Sequence, residues 1–133
     1  MNKPEIIEDY PPNIDLIRQY LNPPKESIFA YGNKIYNPSK IPVYEDVIEH
    51  EKVHFKQQAQ YTTPDLWYTK YLMDKDFRLQ QEIEAYNHQY LFLKNIIRNK
   101  ELKLALQEMA HALSNDYGLD ISYNRAEKLI KSK

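Results

Sequence analysis

Val47-Ile48-Glu49-His50-Glu51-Lys52-Val53-His54-Phe55-Lys56-Gln57-Gln58 is the stretch on which the reading of this chain turns. It lies inside a predicted helix over residues 43–60, with Val47, His50, Val53/His54 and Gln57 along one side. Histidines four residues apart on a helix sit one above the other, so both imidazoles can reach a single metal ion. Glu51 follows the first histidine directly. Its carboxylate leans toward a water on that metal without having to ligate it.

Composition limits what such a site can be. The chain has 133 residues, a length for one domain with a modest core, here residues 1–133. There are no cysteines, so a thiolate site and a disulfide framework are both out, and any metal must be held by His and carboxylate. A net charge of −1 gives no reason to expect nucleic acid as a partner. No N-terminal apolar run resembles a signal peptide and no stretch is long enough to span a bilayer, so a cytoplasmic, membrane-free protein is expected. Eight prolines against two glycines favour short, stiff connections.

Outward from the central helix, the chain reads as mainly α with a small β element, an α+β helical domain. Residues 1–12 are polar and proline-punctuated and predict an extended arm. Residues 13–20 have helical spacing with Asn13 as N-cap, and Asn22-Pro23-Pro24 stops them. Two β-prone runs, 28–31 and 34–37, flank Gly32-Asn33 and predict one hairpin, the one strand signal in the chain. Ser39 is the candidate cap for the central helix. Thr63 and Pro64 end that helix and open a short one over 65–72 carrying Trp67, Tyr68 and Tyr71. With Tyr61, these aromatics read as core or as the lining of a groove. Asp74 or Asp76 caps a long helix over 77–98 whose buried face holds Leu79, Ile83, Tyr86, Tyr90, Leu93 and Ile97. A helix over 101–113, a turn at 114–118 and a Ser122-capped helix to Ile130 complete the chain.

Two histidines leave a metal short of ligands. A third histidine six residues beyond His54 is absent, because Gln60 stands there and Gln57 holds the position where a glycine would fall. The long helix offers Glu82 and Glu84. At ~100° per residue, Glu82 lies about 60° from the centre of that helix's apolar face and Glu84 about 140° away. Glu82 therefore borders the buried side, and Glu84 points to solvent.

His50-Glu51-x-x-His54 with a Glu from a later helix resembles the zincin-like metallopeptidases of the gluzincin type. Glu82-x-Glu84-Ala85-Tyr86 is similar to the Glu-x-x-Ala-Asp signature of some of them, whose first Glu binds zinc. This chain departs from that signature at Tyr86. Residues 28–130 also resemble small HExxH proteins of tailed phages through Tyr36-Asn37-Pro38-Ser39, Gln57-Gln58, Phe77-Arg78 and Tyr117-Gly118. The resemblance implies a zincin-like fold and Zn²⁺ on His50, His54 and Glu82. Glu51 would be the general base acting on the zinc-bound water, and the substrate a peptide or protein. Tyr86, His88 and His111 are candidates for stabilising the attacked carbonyl oxygen. The run 28–31 or 34–37 could pair with an extended peptide. The alternative is a catalytically silent zincin-fold structural or interaction protein, phage-encoded and joined to an assembly partner, with zinc as a stabiliser.

Overall fold

Gly32 has φ of +69°, a value open to glycine, and sits first in the two-residue turn as a type II′ hairpin requires. The turn joins strand β2 (Phe29–Tyr31) to β3 (Lys34–Tyr36), antiparallel, with Ala30 opposite Ile35. The computed structural model describes residues 3–132. Within the expected N-terminal arm over 1–12, of which residues 1–2 lie outside the described residues, a third strand forms, β1 (Glu5–Ile7), which runs parallel to β3 with Ile6 opposite Ile35. The strand order is β1-β3-β2, so β3 is central. Three exposed or half-exposed residues with no alternation carry no signature of a strand, since the pairing comes from a segment almost thirty residues away.

Helices make up most of the rest: α1 (Ile14–Tyr20), α2 (Glu45–Gln58), α3 (Pro64–Met73), α4 (Lys75–Lys94), α5 (Asn99–Asn115) and α6 (Tyr123–Lys131). The mainly α, α+β reading holds. Thr63 accepts from the Leu66 N–H with Pro64 at the first helical position, Asp74 accepts from the Phe77 N–H, and Ser122 accepts from the Arg125 N–H. Two expected caps do not form. Asn13 occupies the N-cap of α1, but both atoms of its buried amide lack a hydrogen-bond partner among the described residues. Ser39 donates to the Lys25 carbonyl instead (2.6 Å), and α2 begins beyond Pro42 with Tyr44 at its N-cap. The long helix α4 ends at Lys94, short of residue 98. Among the described residues no helix is long and apolar enough to cross a membrane.

Two apolar clusters form. One lies between α4, α5 and α6 around Ile83, Leu106, Leu113 and Ile130; the other holds Ile17, Trp67, Tyr68, Tyr71 and Leu72. Arg78 of α4 ties them together and is 5 % exposed. It donates to the Tyr71 and Leu72 carbonyls at the end of α3 (2.9 and 3.1 Å) and to the Tyr117 and Gly118 carbonyls just past α5 (2.7 and 3.2 Å). Two helix C-termini, each the negative end of a dipole, thus share one guanidinium. Gly118 has φ of +61°, and a Cβ there would stand 3.4 Å from Leu21. Arg78→Met should therefore cost about 3 kcal/mol by chemical denaturation, because it strands buried carbonyls. Arg78→Lys, which reaches fewer of them, should recover only part.

Candidate metal centre

The buried face of α2 is almost wholly polar: His50, Glu51, His54, Gln57 and Gln58 are each at most 6 % exposed, with Ile48 the one apolar member. Burial of that kind is costly unless every group is paired. The pairing comes chiefly from α4, against which α2 packs most extensively.

Glu82 stands at the centre, 2 % exposed. His50 Nε2 lies 3.4 Å from its Oε1 and His54 Nε2 lies 3.3 Å from its Oε2. The Tyr71 hydroxyl donates to Oε2 (2.5 Å), whereas Oε1 has no hydrogen-bond partner. The ligand atoms of His50, His54 and Glu82 all fall within 4.8 Å of one another. Two imidazole nitrogens and one carboxylate make a donor set suited to a divalent transition metal, with a position left open. The orphaned Oε1 fits it: a cation would give that buried oxygen its missing partner. A buried His50, His54, Glu82 group able to bind a metal ion is therefore present, and Glu82, not the exposed Glu84, is its third member.

The histidine tautomers follow from two glutamines. Gln57 Nε2 donates to Glu84 Oε1 (2.7 Å) and to the Gln81 carbonyl (3.1 Å), which turns its Oε1 toward His54 Nδ1 at 2.7 Å. Gln89 Nε2 donates to Asp46 Oδ2 (2.8 Å), which turns its Oε1 toward His50 Nδ1 at 3.0 Å. An amide oxygen accepts only, so each Nδ1 carries a proton and each Nε2 is the nitrogen turned toward Glu82, able to ligate once it gives up its own proton. Glu84 thus keeps its exposed position yet acts through Gln57. These relays escape sequence reading because a glutamine on a helix carries no sign of what it orients; the three-residue step from His54 to Gln57 is the one hint.

Burial would push the His54 imidazolium down, but Glu82 beside it outweighs that and raises it to about 9. Burial likewise acts to raise the Glu82 carboxyl, and His54 and His50 reverse it, so Glu82 is held well below the usual carboxylate range. Glu51 is raised, because burial exceeds the opposing pull of His50 and His54. Its carboxylate lies 4.0 Å from His50 Nε2 and is not one of the three converging ligands.

The centre opens into a cleft of about 550 Å³ walled by His50, Glu51, His54, Trp67, Tyr86 and Tyr117, among others. Of the three carbonyl-stabilising candidates, only Tyr86 is there. Its ring packs 4.4 Å from that of His50, and its hydroxyl shares a 2.7 Å hydrogen bond with the Tyr117 hydroxyl. His88 instead bonds Glu49 at the surface (2.8 Å), and His111 packs on Tyr123, 4.5 Å between rings. Trp67, Tyr68 and Tyr71 are both core and cleft wall, while Tyr61 only packs behind them. The expected peptide-pairing runs fare less well. Lys34–Tyr36 is paired on both sides. On β2 the Ala30 carbonyl accepts from Gln58 Nε2 (2.9 Å) and the Tyr68 hydroxyl, and the Gly32 N–H donates to Gln58 Oε1 (2.7 Å).

Metal content should be lost in His50→Ala, His54→Ala and Glu82→Ala and kept in Glu84→Ala. Gln57→Leu and Gln89→Leu should weaken binding about 10- to 100-fold in competition titrations with a chelator. The metal-free protein should lose stability as pH rises from 6.5 to 9. A histidine raised on folding stabilises fully below its unfolded value, and that contribution disappears as pH passes the folded one. Thermal melts in excess chelator at pH 6 and pH 9 check the sign. Comparison with protein-family models, curated proteins and solved structures finds no match to this chain.

Proposed function

We propose that this chain is a zinc-dependent hydrolase of peptide or amide bonds, with His50, His54 and Glu82 as metal ligands and Glu51 as general base. The observation that carries this reading is Glu51 itself. A second buried carboxylate, outside the ligand triad and facing the same cleft, is a liability in a metal site that only stabilises the fold. In a site that moves protons it has a use.

When bound, the cation would supply Lewis-acid polarisation to water and to a substrate carbonyl. Glu51 would take a proton from the attacking water and return it to the departing nitrogen. Its raised affinity for a proton, caused by burial, suits both steps. In the Tyr86–Tyr117 pair one hydroxyl donates to the other, which leaves a single O–H free to donate to a carbonyl oxygen in the cleft. Tyr71 would hold Glu82 in place by its hydrogen bond to Oε2.

Glu51→Gln should leave zinc content and melting temperature unchanged and lower the cleavage rate of a susceptible peptide at least about 100-fold. Screening wild type and this variant in parallel against a fluorogenic peptide library checks it. Equal signals from the two would instead support a metal that serves stability alone.

A further inference from the structure

Part of the cleft wall comes from α5 and its C-cap. Glu108, Ala112 and Asp116 follow one another at four-residue steps and all line it. The two acids are ~12 Å apart along the helix axis, and alanine between them leaves the wall open. Glu26 adds a third carboxylate from the loop before β2. No lysine or arginine among the described residues lines the cleft.

Asp116 is placed against ordinary helix electrostatics. It is the C-cap residue of α5, the negative end of the dipole, and the last turn of that helix carries no basic residue. Arg78 turns its donors to the Tyr117 and Gly118 carbonyls next door. Among the described residues none of Glu26, Glu108 and Asp116 is in an ion pair. The Asp116 carboxyl is half-buried, and that burial pushes it up. The cleft is a ligand site on independent grounds, since Glu82, which lines it, is buried and its Oε1 has no hydrogen-bond partner. Exposed Glu108 and half-buried Asp116 therefore leave the α5 wall with negative charge that no ion pair offsets.

We propose that the cleft selects peptides presenting a cation to the Glu108–Asp116 wall beside an apolar or aromatic side chain, and rejects those presenting a carboxylate there. The cation is a lysine or arginine side chain or a free α-amino group. A peptide's terminal carboxylate finds no basic partner in the lining, so the cleft is not built to grip substrates by that end. The inference rests on the hydrolase reading for its substrate class, but binding alone tests it.

Zinc-loaded Glu51→Gln, used to prevent turnover, is titrated calorimetrically with end-blocked pentapeptides that contain Phe followed by Lys, Gln or Glu. The Phe-Gln peptide is also titrated with a free amino terminus. The Lys peptide should bind about tenfold more tightly than the Glu peptide at low salt, with the gap narrowing in 0.5 M NaCl. Preference for the free amine over its blocked form identifies the α-amino group as the source, and preference for Lys over Gln identifies the side chain. Adding Glu108→Gln and Asp116→Asn should flatten the preference, and Glu108→Lys with Asp116→Lys should reverse it. Zinc content reports that each variant is folded. Equal binding of Lys and Glu peptides, a preference that survives neutralisation, or no binding by any peptide overturns the proposal. Charge-selective binding without cleavage by wild type would overturn the hydrolase reading and leave this one standing.

Discussion

A carboxylate buried between two helices is the constraint around which this molecule is arranged. Glu82 has almost no contact with water, and its negative charge is tolerable only because two imidazoles and a phenol converge on it. The group draws on three helices: two members from α2, one from α3, and the acid from α4. Packing α2 on α4 is thus as much an electrostatic event as a hydrophobic one. The polar face of α2 would be a defect against an apolar neighbour.

The same helix that supplies Glu82 supplies Arg78 one turn earlier, on the same side. Positive and negative buried charges therefore stack along one helix and do different jobs. Arg78 gathers the ends of α3 and α5, and Glu82 gathers α2 and Tyr71. Because α3 carries Tyr71 and ends on Arg78, the position of the hydroxyl bonded to Glu82 depends on the other charge. A change at the α3–α5 junction would reach Glu82 through two hydrogen bonds.

Much of this was legible in the residues. Four-residue spacing put His50 and His54 together, and helical phase separated Glu82 from Glu84 before any coordinates, because a 20-residue helix keeps its phase. Thr63, Asp74 and Ser122 cap as their chemistry suggests. What escaped depended on groups distant in sequence. Strand β1 finds its partner in a central strand, which no local pattern announces. Ser39 reaches back to Lys25 and does not cap the helix ahead of it. Glu84 reads as a solvated charge, and although Gln57 shares the histidines' side, only the packed α2–α4 pair shows that Gln57 and Gln89 orient histidines while Glu84 and Asp46 orient those glutamines. Asp116 and Glu108 look like ordinary surface acids until α5 is seen to form a wall.

Gln58, next to the residue that orients His54, accepts from the Gly32 N–H and donates to the Ala30 carbonyl. Its side-chain amide offers the sheet the same donor and acceptor that one peptide unit of a neighbouring strand would offer. The outer edge of β2 is thereby closed by a surrogate strand one residue long. Such an edge cannot template the addition of another chain at Ala30, a hazard that small sheets otherwise meet with charge or bulges. The same amide ties the hairpin to the helix that carries His50 and His54.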